Sequence, residues 1–191
     1  MIKSISLEKF KAFSTLNDLE IKPLTVLCGV NSGGKSSILK SLLLLKQSYE
    51  NSAANNDATL NGVYTTNGLM KDLINNQKGN SFTVRNVFRV KYQGRKFVKN
   101  SKQDISTAKE LGKITGLSSK EVSWFDIDVT CCIMRGTGSD LWDTNFIDKY
   151  IIEVTPIASS GAEVNEEKFK LELDYQKKRK IQHYSNQLTN Y

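Results

Sequence analysis

The sequence predicts an α/β fold that combines a strand–loop–helix unit with a mixed or antiparallel β-subdomain. Residues 24–28 are nearly all apolar, as in a strand covered on both faces, and lead through a glycine-bearing loop into a run of helix formers. Residues 82–92 instead carry apolar side chains at spacing two, the period of a strand with one polar face. The length of 191 residues fits one domain with a tail.

The composition is that of a soluble globular protein. Hydrophobic residues make up 39% and charged residues 25%, and no apolar run reaches the ~18 residues of a membrane-spanning helix. No secretory signal is visible at the N-terminus, so we expect a cytoplasmic protein without a membrane partner. The net charge of +7 favours polyanionic partners such as nucleotides or nucleic acid.

The cysteines and the histidine argue against several kinds of site. Cys28, Cys131 and Cys132 have the spacing of neither a zinc site nor a disulfide framework, which indicates a reducing compartment. We expect Cys28 to be a small buried side chain beside the glycine loop. The single histidine, His183, argues against triads and metal sites built on several histidines.

The remaining elements follow from the same patterns. In the first strand, Ile5 and Leu7 alternate with polar neighbours, and good helix formers follow the glycine loop. The predicted elements to residue 59 are strands at 2–13, 19–21 and 24–28, a loop at 29–34, a helix at 35–49 and a loop at 51–59. The later ones are a short helix within 69–74, strands at 82–92, 96–98, 124–134, 150–157 and 168–175, a short helix within 101–116, a loop at 136–139 and a polar tail at 176–191.

The loop at residues 29–36 carries the motif G-x-x-x-x-G-K-[ST]. A chance match in a chain of this length has a probability on the order of one per cent, and here the loop also follows an apolar strand and opens a helix. In that arrangement, backbone amides and a helix N-terminus surround a phosphate group. An ordinary glycine-rich helix cap is the alternative. The predicted phosphate-binding residues are Gly29, Asn31, Ser32, Gly33, Gly34, Lys35, Ser36 and Ser37.

Two side chains of the motif predict the ligand. The ammonium of Lys35 suits the β- and γ-phosphates of a nucleoside triphosphate. The hydroxyl of Ser36 is the predicted metal ligand, because Mg²⁺ prefers hard oxygen donors. The predicted cofactors are therefore ATP and Mg²⁺. A GTPase is disfavoured because the base-reading sequence Asn-Lys-x-Asp is absent.

The start of the chain resembles an ABC-type ATPase head. The resemblance rests on Phe10-Lys11-Ala12-Phe13 at the end of the first strand, on the loop at 29–37 and on the leucine-rich helix that follows. The arrangement is similar to SMC and RecF-like heads, and more closely to bacterial AAA family ATPases related to the OLD-type and Septu-type anti-phage ATPases. The resemblance is specific over residues 1–50, extends more weakly to 92 and is absent beyond.

This resemblance implies a division of the chain and two further site residues. Residues 1–175 would form the N-terminal lobe of the head, with strands, loop and helix at 1–50 and the β-subdomain at 60–175. Lys11 and Phe13 would lie near the phosphate, sugar or base of the nucleotide; without the resemblance, they are a solvated lysine and a core phenylalanine. The family also implies a role in anti-phage defence or in work on DNA.

Motifs that a complete ABC-type head needs are missing from the sequence. No apolar strand ends in Asp-Glu, the pair that supports the metal and polarises the attacking water. Residues 158–163 are only faintly similar to a signature segment, and residues 169–174 alternate with charges, as in a hairpin. Gln77 is a weak candidate for the glutamine that senses the γ-phosphate. We therefore expect a second lobe, on a further segment or another chain, to supply the unassigned catalytic residues.

Three functions remain open on the sequence alone. The first is an ATP-hydrolysing lobe in a homodimer or with a partner chain that completes the head. The second is a nucleotide-sensing module without hydrolysis that docks on an effector such as a defence nuclease, and the third is a small P-loop kinase. The basic cluster at 177–180, with Lys168 and Lys170, is either a contact to the DNA backbone or a solvated terminus.

Overall fold

An antiparallel sheet with a long helix on one face makes up the described part of the chain. The computed structural model describes residues 1–51, 58–91, 122–136, 145–163, 169–174 and 182–184. Its strands are β1 (Ile2–Phe10), β2 (Phe13–Glu20), β3 (Ser81–Lys91), β4 (Val122–Arg135), β5 (Asn145–Ala158), β6 (Phe169–Asp174) and β7 (Gln182–Tyr184). Its helices are α1 (Lys35–Asn51), α2 (Met70–Leu73) and a 3₁₀ turn at Asn75–Gln77. The strand order is β2-β1-β3-β4-β5-β6-β7, and each neighbouring pair is antiparallel.

β1 and β2 form a hairpin with a tight turn at Lys11 and Ala12. Phe10 lies opposite Phe13 across this turn, so the strand predicted at 2–13 ends early and the second strand begins well before residue 19. The chain reverses here because Lys11 adopts a left-handed φ of 50°. No glycine or proline marks the turn, which is why the alternation of apolar residues alone did not reveal it.

The predicted strands at 82–92, 124–134, 150–157 and 168–175 are confirmed as β3 to β6, as are the helices at 35–49 and within 69–74. The alternating charges of β6 belong to a hairpin with β5, as expected. Lys170 Nζ lies 3.1 Å from a carboxylate oxygen of Glu153, and Lys149 Nζ lies 2.6 Å from one of Glu172. Within the predicted tail, however, residues 182–184 pair with β6 as β7.

The main core lies between α1 and one face of the sheet. Ile5 and Leu7 of β1 and Leu44 of α1 are almost fully buried there, and the ring centroids of Phe10 and Phe82 are 5.0 Å apart. Burial of this size stabilises the fold by about 1.5–3 kcal/mol per large apolar side chain. The core therefore fixes α1, and with it the loop that precedes α1, against the sheet.

Polar side chains on α1 hold the segment 58–68. Gln47 is buried; its amide donates to the carbonyl of Thr59 at 2.6 Å, and its side-chain oxygen accepts the N–H of Thr65 at 3.1 Å. The hydroxyl of Ser48 accepts the N–H of Thr59 at 3.0 Å. Since buried polar groups need such partners, these contacts tie the segment to the helix.

Residues 24–28 do not form the predicted strand, and Cys28 is exposed, not buried. Leu24 is 83% exposed and Val26 is 72% exposed, whereas Leu27 packs against the main core. A strand needs a neighbour to take its backbone hydrogen bonds, and none of the described strands lies alongside this segment. The apolar composition predicts burial but cannot supply the covering element.

Several predictions concern residues that the structure does not describe. They are most of the loop at 51–59, the turn and return strand at 93–98, the helix within 101–116, most of the loop at 136–139 and the basic cluster at 177–180. Within the described ranges, no helix has the length and apolar character needed to cross a membrane.

Candidate functional site

The glycine loop at residues 29–34 leads directly into α1. The N–H of Gly33 donates to the carbonyl of Val30 at 3.1 Å, which closes a turn within the loop. Lys35 and Ser36 open the helix, so their amides have no carbonyl one turn earlier to bind. The positive end of the helix dipole adds to these amides, so this end of α1 favours an anion.

The ammonium of Lys35 folds back over the loop. Its Nζ donates to the carbonyl of Gly29 at 2.8 Å and to the carbonyl of Val30 at 2.7 Å. Both acceptors are uncharged, and hydrogen bonds from an ammonium to phosphate oxygens are stronger because both groups are charged. In this position, the ammonium of Lys35 can leave the two loop carbonyls and bind phosphate oxygens instead.

Gly34 lies against the ring of Phe13. A β-carbon on Gly34 would be 2.6 Å from Cζ of Phe13 and 3.2 Å from Cβ of Ala12, and the residue has a φ of +91°. Both the contact and the backbone angle require glycine here. The carbonyl of Gly34 accepts the N–H of Ser37 at 2.9 Å, so the same residue also starts the hydrogen-bond pattern of the helix.

The turn that carries Phe13 also places Lys11 beside α2. The N–H of Lys11 donates to the carbonyl of Leu73 at 2.6 Å, and its carbonyl accepts a hydrogen bond from Nδ2 of Asn75 at 2.6 Å. Partial burial lowers the pKa of the Lys11 ammonium, the positive charge of Lys40 lowers it further, and Asp72 acts in the opposite direction. Lys11 is thus a half-buried cation rather than a solvated one.

The predicted site residues differ in their exposure. Gly34 is enclosed by Phe13, Lys35 is half-buried, and Ser37 lies buried in the first turn of α1. The exposed members are Gly29, Asn31, Ser32, Gly33 and Ser36. The exposed hydroxyl of Ser36 suits a Mg²⁺ ion that keeps most of its waters. Among the described residues, no group of three or more His, Cys, Asp or Glu side chains could hold a metal ion by itself.

The weaker candidates lie elsewhere. Residues 158–163 form a turn at the end of β5, closed by a hydrogen bond from the N–H of Gly161 to the carbonyl of Ala158 at 3.0 Å. Gln77 ends the 3₁₀ turn that follows α2. Sequence reasoning missed Asn75 and Lys40. No sequence pattern pointed to either residue, since neither belongs to a recognisable motif.

A glycine loop that opens a helix, with a lysine over the loop and a serine after it, is typical of the P-loop NTPases. A family model described as AAA ATPase domain matches residues 1–191, and the chain belongs to that family. AAA ATPase domains are P-loop NTPases that typically bind ATP with Mg²⁺, so membership supports nucleotide binding in general. No curated protein and no solved structure matches the chain significantly.

Proposed function

We propose that the loop at 29–34 and the first turn of α1 bind the triphosphate of ATP with Mg²⁺. The observation that carries this proposal is the position of Lys35, whose ammonium lies on the carbonyls of Gly29 and Val30 at the anion-favouring end of the helix. The space is open on the solvent side, because a β-carbon on Gly29 would meet no atom within 4 Å. The residues present therefore fit a polyphosphate.

Each residue of the site has a distinct role in this proposal. The amides of the loop and of the first helical turn bind the phosphate oxygens, and Lys35 neutralises the charge of the β- and γ-phosphates. Ser36 supplies an oxygen ligand to Mg²⁺, and Lys11 adds positive charge on the side of the β1–β2 turn. The metal, when bound, lowers the negative charge of the triphosphate.

We further propose that the chain acts as one lobe of an ABC-type head and that a second lobe completes it. This is supported by apolar side chains beside the loop that the described structure leaves open to solvent: Leu24, Val26, Val30 and Leu39. Exposed apolar side chains that are grouped on a protein surface are typical of an interaction site. The second lobe would pair with residues 24–28 and supply the catalytic carboxylate.

The fold bears on the small P-loop kinase, and the rate of ATP hydrolysis bears on the nucleotide sensor. The long antiparallel strands disfavour a small P-loop kinase, which is mostly helical after its loop. A nucleotide sensor without hydrolysis would use the same binding residues, so only phosphate release distinguishes it. The role in anti-phage defence and the narrower relation to SMC, RecF, OLD or Septu ATPases are proposed from the sequence resemblance. Contact with DNA is proposed from the net charge of +7 and the basic cluster at 177–180. Docking on an effector is the role proposed for the sensor.

The binding proposal predicts a selective effect of Lys35→Ala. Loss of one hydrogen bond to a charged group costs about 1.5–3 kcal/mol, so the Kd for Mg-ATP should rise by at least about tenfold in a calorimetric titration. Lys46→Ala is the matched control, because Lys46 lies on the same helix but pairs with Glu50 and Tyr64. Equal affinity of wild type and Lys35→Ala would overturn the proposal. Sustained phosphate release by the chain alone would overturn the need for a second lobe.

A further inference from the structure

The β1–β2 turn contacts the glycine loop at 29–34, which we call the phosphate loop after its proposed function, and it is held in place by residues at the end of α2. Lys11 forms two hydrogen bonds with the end of α2 and the turn that follows: its N–H donates to the carbonyl of Leu73, and its carbonyl accepts from Nδ2 of Asn75, both at 2.6 Å. Phe10 also forms a β-bridge with Ile74. Leu73 and Ile74 are buried in the main core, so this segment is a firm anchor for the turn.

The other side of the same turn touches the phosphate loop. The ring of Phe13 fills the space beside Gly34, and the carbonyl of Gly34 accepts the N–H groups of Ser37 and Ile38 at 2.9 and 3.3 Å. A movement of Phe13 away from Gly34 therefore frees the residue whose carbonyl starts α1. Close packing transmits such displacements, because side chains in contact leave no slack.

We propose that Asn75 is a positioning residue for the phosphate loop, acting through Lys11 and Phe13 on Gly34. Among the described residues, Asn75 donates the side-chain hydrogen bond to the carbonyl of Lys11. Without it, the backbone bond to Leu73 and the bridge between Phe10 and Ile74 remain, so we expect the turn to stay folded but to hold Phe13 less firmly. The consequence for nucleotide rests on the proposed function, but the effect on the loop does not. Loop geometry is therefore measured first without nucleotide.

The test compares Asn75→Asp with Asn80→Asp. A carboxylate at position 75 has nearly the same shape but cannot donate to the carbonyl of Lys11. Asn80 is exposed on the same connection and contributes its backbone carbonyl to Arg135, so its variant adds the same charge without breaking that bond. The neutral pair Asn75→Ala and Asn80→Ala repeats the comparison without added charge.

The readouts in nucleotide-free protein are amide hydrogen exchange and alkylation of Cys28. In Asn75→Asp, exchange of the Ser37 and Ile38 amides should accelerate by about tenfold, the effect of losing a hydrogen bond of ordinary strength, while the amides of β4 stay unchanged. Cys28 is exposed beside the loop, whereas burial, together with Cys132, raises the pKa of the Cys131 thiol to about 12. Alkylation of Cys28 should be unchanged in the same variant because Cys28 is already exposed, so a faster reaction would show a wider unfolding that contradicts a local effect on the loop.

Three further results would overturn the inference. They are equal exchange in Asn75→Asp and Asn80→Asp, a uniform acceleration that includes β4, and independent effects of Asn75→Asp and Phe13→Leu in the double variant. If Asn75 and Phe13 act on Gly34 through the same contacts, the second substitution changes the amide exchange rates little beyond the first. The Kd for Mg-ATP should rise about tenfold in Asn75→Asp and stay at the wild-type value in Asn80→Asp. Failure of wild type to bind ATP would reject the proposed function and leave the loop measurements to decide the role of Asn75.

Discussion

Among single residues, Gly34 meets the strictest demands, since it has a left-handed φ and lies under the ring of Phe13. Its conservative replacement by alanine therefore introduces backbone strain and a steric overlap together. The glycine motif made this position predictable from the sequence. Its contact with Phe13 was not predictable, because it depends on a hairpin turn that no glycine or proline marks.

Gly34→Ala should lower the free energy of unfolding by about 1–3 kcal/mol, since an off-region backbone and an overpacked contact both contribute. Gly79→Ala is a matched control, because Gly79 has a φ of +96° but an added β-carbon there would meet no atom within 4 Å. The difference in unfolding free energy between the two variants, measured by urea denaturation, gives the contribution of the overlap with Phe13. In a Phe13→Ala background, the two glycine variants should become alike; a persistent difference would contradict this account.

At the scale of elements, β3 and β4 are joined by charged pairs on the polar face of the sheet. Arg89 donates from Nε and Nη2 to the two carboxylate oxygens of Asp126, both at 2.7 Å. Partial burial favours a higher pKa for Asp126, but the hydrogen bonds and charges of Arg89 and Lys3 outweigh it and lower the pKa below its ordinary value of 3.8. Alternation predicted the polar face, whereas the register that pairs these charges depends on long-range contacts.

The pair of Arg89 and Asp126 predicts that the difference in unfolding free energy between wild type and Asp126→Asn depends on pH. A carboxyl whose pKa is lowered by folding stabilises the fold fully above pH 3.8, and this contribution disappears as the pH falls through the lowered value. The gap in unfolding free energy should therefore narrow in acid. Glu20→Gln, which removes an exposed pair with Lys22, should show little gap at any pH. A gap that stays constant into strong acid would contradict the assignment.

For the whole molecule, the exposed apolar side chains before the glycine loop at 29–34 have the greatest consequence. Leu24 and Val26 contribute little to the stability of the described fold, because both are largely exposed. Their local sequence predicted a buried strand, and the prediction was wrong for the isolated fold because the sheet offers that segment no neighbour. Strand propensity is a local property, whereas burial depends on what else is present.

Replacing both residues with serine should reduce self-association of the chain while leaving its thermal midpoint nearly unchanged. Light scattering at increasing protein concentration measures the first effect, and circular dichroism the second. Val63→Ser is the control, because Val63 is 94% exposed but belongs to the segment 58–68, which Gln47 and Ser48 hold near the C-terminal end of α1. An equal response to the control substitution, or a large loss of thermal stability, would show that Leu24 and Val26 do not form an interaction surface.

The sequence predicted β3 to β6 but made no prediction of the order of the strands in the sheet. Apolar alternation marks β3 to β6 within a few residues, since it is a local signal. The pairing of β1 with β3 joins distant parts of the chain and leaves no local trace. The polar contacts of Gln47 and Ser48 were also missed, because hydropathy cannot show that a buried polar group has a backbone partner.

The pairing of β1 with β3 also determines when the core can form during synthesis of the chain. Ile2 lies opposite Phe88, so these two neighbouring strands leave the ribosome far apart in time. The β1–β2 hairpin can form early from local contacts, but α1 gains its packing surface only after β3 emerges. We therefore expect nascent chains that stop before residue 80 to leave the loop at 29–34 without its packed support, so that the proposed nucleotide site would form only after β3 has been made.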